Sequence, residues 1–183
     1  MFHVEQKLEI MNLKSFIREV PDFPKKGINF KDITTLLKEK EAFKYAVDNI
    51  YEEFKDKKIT KIVSLESRGF IIGGALSYLL DAGFVPIRKS GKLPSETISV
   101  LYDLEYGTDT IEIHKDALNT NDIVLIHDDL LATGGTAMAA LQLVKKLSVG
   151  KIYFSFLCDL SFIVTPIKQQ IKKFNPHILI NFE

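Results

Sequence analysis

A single cysteine, Cys158, leaves no internal disulfide to form, which excludes a small secreted scaffold stapled by disulfides. Surplus charge is absent as well: 24 Lys+Arg balance 24 Asp+Glu, for a formal net charge of +0. Broad, nonspecific nucleic-acid binding needs a positive excess and is therefore not expected, although a local anion site remains open. No apolar run is long enough to span a bilayer, since the longest, Phe70 to Leu80, is broken by Gly73, Gly74 and Ser77. The segment Met1 to Glu9 lacks a basic stretch followed by an apolar one, so no signal peptide is expected and the setting reads as cytoplasmic and reducing. Internal repeats, low-complexity tracts and linkers rich in Pro, Gly or Ser are also missing. Arginine is scarce. Only Arg18, Arg68 and Arg88 stand against 21 lysines, and arginine's planar fork suits bidentate phosphate contacts.

What is present reads as one α/β domain, or at most two small ones, with 183 residues and 46% hydrophobic content sufficient for a sizeable core. Asn12 to Glu19 predicts a short helix ended by Pro21 and Pro24. Phe43, Ala46, Val47, Ile50 and Phe54 share one helical face. Thereafter strands and helices alternate. Lys61–Leu65, Phe84–Ile87, Ile123–Ile126, Ile152–Leu157 and Ile178–Phe182 are candidate strands. Helices are expected over Phe70–Leu80, Thr136–Leu147 and Ile163–Lys173. Ile98–Leu104 and Thr110–His114 suggest a hairpin turning at Tyr106 to Asp109. Alternation of this kind implies βαβ units and a mostly parallel sheet. Ligands of such sheets sit beyond the carboxyl ends of the strands, where the turns after Leu65, Ile87 and Ile126 would lie together.

The segment Ile123-Val-Leu-Ile-His-Asp-Asp-Leu-Leu-Ala-Thr-Gly-Gly-Thr136 carries the sharpest chemical signal. Gly134 and Gly135 permit close backbone approach and positive φ. The helix that follows leaves its first N–H groups unsatisfied, and its dipole favours an anion. Thr133 and Thr136 add hydroxyl donors. A phosphate cradle is implied, but not a P-loop, because the spacing and the lysine of that motif are absent. Asp128 and Asp129 would repel a bare phosphate, yet suit the hydroxyls of an attached sugar and cationic charge developing on its ring. Taken alone, the pair also reads as an exposed turn capping the next helix; the Thr-Gly-Gly-Thr turn behind it favours the ligand reading.

This block resembles the phosphoribosyl-pyrophosphate motif of the type I phosphoribosyltransferases. Three further segments narrow the resemblance to the adenine-specific branch of that family: Pro21-Asp-Phe-Pro-Lys-Lys-Gly-Ile-Asn-Phe-Lys-Asp-Ile33, Glu66-Ser-Arg-Gly-Phe70, and Pro86-Ile-Arg-Lys-Ser-Gly-Lys-Leu-Pro94 with Leu104-Glu-Tyr-Gly107. It runs in consistent order from about Asn12 to Phe156. The resemblance implies an α/β type I phosphoribosyltransferase fold: a mostly parallel sheet flanked by helices under a small N-terminal hood. Residues 1–11 would be an extension, 12–36 the hood and 37–183 the core of one domain, assembled as a homodimer. The implied reaction belongs to purine salvage, with adenine and phosphoribosyl pyrophosphate giving AMP and pyrophosphate in the presence of Mg²⁺. That ion would be held mainly by the substrate's pyrophosphate and water rather than by protein ligands.

By the same resemblance, Ala132, Thr133, Gly134, Gly135 and Thr136 would hold the 5′-phosphate, and Asp128 and Asp129 the ribose. Ser67 and Arg68 would form a pyrophosphate loop, where a non-proline cis peptide is common, with Arg88, Lys89 and Lys92 neutralising the diphosphate. Phe30 would stack on adenine beside Asn29 and Lys31. Glu105 would move the proton, with Tyr106 next to it on a closing loop. Against the family pattern, His127 replaces a branched apolar residue, Lys31 an arginine and Asp159 a glutamate. Glu66 reads as an N-cap acceptor rather than a catalytic group, His127 as a partly buried, hydrogen-bonded residue, and Cys158 as packing.

Overall fold

The computed structural model describes residues 11–103 and 107–183. The chain divides into two compact units, with the boundary between Ala46 and Val47. In the first, a 3-10 helix (Leu13–Phe16) leads into β1 (Arg18–Val20), which pairs antiparallel with β2 (Phe30–Asp32). The helix expected over Asn12 to Glu19 is therefore cut short. Ile17 is already extended, and Arg18, Glu19 and Val20 find backbone partners in Asp32, Lys31 and Phe30. A one-turn helix α1 (Thr34–Leu37) follows, and then α2 (Lys40–Phe54).

The second unit is built on a seven-stranded sheet. Its strands are β3 (Lys61–Leu65), β4 (Gly83–Lys89), β5 (Thr97–Asp103), β6 (Thr108–His114), β7 (Ile123–Leu131), β8 (Lys151–Leu160) and β9 (His177–Phe182). They lie in the order β5-β6-β4-β3-β7-β8-β9. From β4 to β9 the pairings are parallel, while β6 and β5 are added antiparallel at one edge. Three helices connect the strands: α3 (Gly69–Leu79), α4 (Gly135–Lys146) and α5 (Pro166–Lys172). A short apolar strand is buried on both faces in a parallel sheet. Accordingly Ile62, Val63, Val124, Leu125, Ile126, Phe156 and Leu157 are fully buried. Each such side chain contributes about 1.5–3 kcal/mol of hydrophobic stabilisation.

The helix α4 buries Ala137, Ala140, Leu141 and Val144, one continuous stripe, against the core cluster. Lys145 and Lys146 in its last turn complement the negative end of the helix dipole. The end of β7 and the start of the last helix differ from the sequence expectation. β7 runs on through His127, Asp128, Asp129, Leu130 and Leu131, because β8 keeps pairing with it as far as Leu131 opposite Asp159. The last helix begins only at Pro166, where Thr165 caps it by accepting the Lys168 N–H and proline at the first position ends the extended run.

Candidate active site

Strand register assembles the second-unit candidates. Leu65 pairs with Ile87, and Ser64 with His127. Continued along three neighbouring parallel strands, this register sets Asp128 level with Leu65 and Ile87, and Asp129 level with Glu66 and Arg88, at the carboxyl edge of the sheet. Arg68, one residue before α3, reaches across so that its Nε lies 2.9 Å from Asp129 Oδ2. The turn from β3 into α3 packs directly against β7: a Cβ on Gly69 would stand 3.0 Å from Asp128 Oδ1 and 3.2 Å from its Cα. The peptide between Glu66 and Ser67 is cis, at the place the family resemblance implies.

The two aspartates differ by the pleat. Asp129 points into the protein and is 5% exposed, while Asp128 is half-buried. Asp128 Oδ1 accepts the Asp129 N–H at 2.9 Å. Burial, reinforced by the Asp129 carboxylate, pushes the Asp128 carboxyl well above its ordinary range. Burial also raises Asp129, with the Arg68 guanidinium pulling the other way. Two carboxyls this close and this buried resist ionising together, while the Arg68 guanidinium favours the charged form of Asp129.

Three of the cations expected on the diphosphate, Arg68, Arg88 and Lys89, are set against carboxylates. Arg88 Nη2 donates to Glu66 Oε1 at 2.7 Å, and Glu66 Oε2 accepts the Lys89 N–H at 3.0 Å. Arg88 holds the Glu66 carboxyl below its usual value. Lys89 Nζ lies 3.1 Å from Asp109, and Arg88 Nη1 donates to the Lys92 carbonyl at 3.1 Å, while Lys92 is exposed. The N-cap role expected of Glu66 is not observed. Arg68 occupies that position with no side-chain cap, and the carboxylate is drawn to the nearer guanidinium instead.

From the end of β7 into α4, residues 130–137 line a concavity of about 50 Å³. Gly134, at φ +89°, caps α4 without a side-chain hydrogen bond, so the first turn of that helix keeps N–H groups for a ligand. Thr133 Oγ1 stands 3.5 Å from the Gly135 N–H. The Tyr102 hydroxyl, hydrogen-bonded to Thr136, is raised by its burial; sequence reasoning gave no signal for this tyrosine. Glu112 was also invisible there. It is buried, and it accepts the Gly91 N–H at 2.9 Å and the Thr97 hydroxyl at 3.3 Å, anchoring the segment that carries Lys92. His127 is fully buried, with Nδ1 3.4 Å from Ser155 Oγ, and burial first and His177 second bring it down to about 3. A neutral, packed histidine fits the expectation that it is not catalytic.

In the first unit, Asn29 and Lys31 both turn to Glu19, at 2.6 Å and 2.9 Å, because the antiparallel register places Glu19 opposite Lys31. These contacts hold the Glu19 carboxyl below its usual value, Lys31 contributing most. Phe30 packs edge-on against Phe23 with ring centres 5.2 Å apart. Arg18 is committed to Asp32 at 2.6 Å. Glu105 and Tyr106 lie outside the described residues.

A parallel sheet carrying an acidic pair and a Thr-Gly-Gly-Thr helix start at its carboxyl edge defines the type I phosphoribosyltransferase class. The model of the phosphoribosyl transferase domain matches residues 31–161. An adenine phosphoribosyltransferase of Bacteroides fragilis is 61% identical over 144 residues, covering 79% of this chain and 81% of the relative. Among solved structures, adenine phosphoribosyltransferase from Thermoanaerobacter pseudethanolicus superposes with a TM-score of 0.87 at 47% identity, covering 93% of this chain and 98% of the other. APRTase from Giardia lamblia complexed with 9-deazaadenine gives 0.88 at 37%, covering 93% and 96%. The chain belongs to the adenine phosphoribosyltransferase family.

Proposed function

We propose that the protein transfers the 5-phosphoribosyl group from phosphoribosyl pyrophosphate to adenine, giving AMP and pyrophosphate in purine salvage. The observation that carries this reading is the row at the sheet edge: Arg68 and Arg88 beside Asp128 and Asp129, with the open first turn of α4 adjoining. The choice of adenine rests on likeness to the Bacteroides fragilis relative and to the Giardia lamblia protein complexed with 9-deazaadenine.

Ala132 to Thr136 hold the 5′-phosphate through backbone N–H groups and threonine hydroxyls. Asp128 and Asp129 accept the ribose hydroxyls and, once ionised, stabilise positive charge growing on the ring. Arg68, Arg88, Lys89 and Lys92, with Ser67, take the diphosphate, the first three exchanging carboxylate partners for phosphate oxygens. The bond from adenine N9 to C1′ forms as the C1′–O bond breaks, and the electron pair leaves with pyrophosphate. The N9 proton passes to Glu105, with Tyr106 next to it in the sequence. Phe30 stacks on the base, while backbone groups near Asn29 and Lys31 read its edge, since both side chains are engaged by Glu19.

Among the described residues no group of three or more His, Cys, Asp or Glu is placed to hold a metal ion. This donor set fits Mg²⁺ carried by diphosphate oxygens and water, with Asp128 and Asp129 the carboxylates that would face its water shell. When bound, the ion would neutralise charge on the leaving group. A homodimer is the proposed assembly, supported by the exposed apolar side chains Ile71, Tyr78, Leu79 and Phe84 of α3 and β4. A cytoplasmic setting accords with the described helices, none of which is long and apolar enough to cross a membrane.

The test is direct. Purified protein with adenine, phosphoribosyl pyrophosphate and Mg²⁺ should form AMP, and chelation of the metal should stop it. Folded protein that yields no AMP, or that prefers hypoxanthine or guanine, overturns the assignment.

A further inference from the structure

The glycine that opens α4 is not shaped by its own loop alone. A Cβ on Gly134 would stand 2.8 Å from the Lys168 Cα and 2.9 Å from its N, so the backbone of α5 is the floor against which this turn is pressed. Thr165, the cap of α5, donates its hydroxyl to the Thr133 carbonyl at 2.6 Å and accepts the Lys168 N–H at 3.0 Å. One side chain therefore ties the start of α5 to the loop itself.

The position of α5 is in turn set by a buried charge. Lys168 is 1% exposed, and its Nζ lies 2.5 Å from Asp159 Oδ1, with Asp159 0% exposed. The same ammonium donates to the Leu160 carbonyl at 2.5 Å. Lys172 meets the other carboxylate oxygen at 2.5 Å, and the Ser161 hydroxyl donates to it at 3.1 Å. Asp159 sits on β8 directly opposite Leu131, the last residue of β7 before the loop. The carboxylate is thus fixed by the same strand pair that delivers the loop. A buried ion pair is a weak source of net stability but a demanding geometric constraint.

We propose that Thr165, Lys168 and Asp159 are positioning residues for the 5′-phosphate cradle: they brace the Thr133–Thr136 turn from behind and set its N–H groups for the phosphoribosyl substrate. The inference rests on the phosphoribosyl reading of that turn. It adds that affinity for the sugar phosphate depends on the segment after β8, which contributes no side chain assigned to the substrate. Small displacements of a preorganised site from outside it are costly in rate.

The experiment compares steady-state constants for Thr165→Val, which keeps the shape and loses the hydroxyl, Thr165→Ser, which keeps the hydroxyl, and Lys168→Met. In Thr165→Val and Lys168→Met, KM for phosphoribosyl pyrophosphate should rise between about 10- and 100-fold, with KM for adenine within about twofold of the unaltered enzyme. Thr165→Ser should restore most of the loss. Binding of ribose 5-phosphate, followed by calorimetry without turnover, should weaken in parallel. If Lys168→Met does not fold, the Thr165 pair decides alone. The inference is overturned if folded Thr165→Val keeps its KM for phosphoribosyl pyrophosphate, if both KM values rise together, or if serine gives no rescue. Failure of the unaltered protein to make AMP or to bind ribose 5-phosphate would instead remove the phosphoribosyl reading on which it stands.

Discussion

At the scale of single residues, the acidic pair shows how adjacent identical side chains are given different work by the pleat of one strand. Asp129 is turned inward to Arg68, and Asp128 is left at the open edge. The raised value of Asp128, caused first by burial and then by Asp129, has a definite sign. A carboxyl whose folded pKa lies above its unfolded value stabilises fully below the ordinary value near 3.8. That contribution is lost as pH rises through the folded value. Asp128→Asn should therefore melt close to the unaltered protein at pH about 4 and progressively above it toward neutral pH. Each kcal/mol of relieved repulsion is worth about 2–4 °C in a domain of this size. The same change should lower kcat by at least about 100-fold. Thermal melts across pH paired with AMP formation read both, and an Asn variant that melts lower at neutral pH while retaining turnover rejects the assigned role. The pair itself was legible in the sequence, because Asp-Asp ahead of Thr-Gly-Gly-Thr is an unusual local combination. Glu66 was misread because its partner, Arg88, lies on a different strand, and only the parallel register makes them neighbours.

At the scale of elements, the start of α4 is the feature most sensitive to small change. Gly134 combines φ +89° with a backbone floor too close for any Cβ. Gly134→Ala should destabilise the protein by about 1–3 kcal/mol, the usual cost of a non-glycine residue held in such a conformation. It should also raise KM for phosphoribosyl pyrophosphate more than KM for adenine; equal changes in the two would mean that the turn does not hold the phosphate. Helix and strand existence followed closely from periodicity, since α3, α4 and the parallel strands all fall near their expected ranges. Their ends did not. Local preference placed a turn at Asp128, but continued pairing with β8 carried β7 to Leu131. The β1–β2 hairpin escaped notice because Arg18 to Val20 has no alternation of its own and is strand only by virtue of β2.

At the scale of the whole molecule, the exposed apolar residues of α3 and β4 bear on assembly. Tyr78 is 86% exposed, with Ile71, Leu79 and Phe84 also open to solvent. If this face is the contact between two copies, sedimentation should return twice the chain mass of 20.8 kDa. Tyr78→Glu should shift the protein toward monomer by placing a charge in an apolar contact. A Tyr78→Glu protein that sediments as a stable dimer would place the interface elsewhere.

The sequence by itself determined the α/β class, the placement of the phosphate turn at a strand end, and the reading of scarce arginines as anion contacts. All of these follow from short-range facts: hydrophobic period, glycine's backbone freedom and the geometry of a guanidinium. Net neutrality said only that positive charge had to be concentrated rather than abundant, and Arg68 and Arg88 stand at the sheet edge. Tertiary structure alone decided which carboxylate each cation faces, why Glu112 is buried, and that Asp159 and Lys168 stand behind the cradle. Those pairings join residues from separate elements, and Glu66–Arg88 and Arg68–Asp129 link residues far apart in the chain. Strand register and the packing of α5 against the turn bring them within reach, and no local pattern in the chain encodes such a distance.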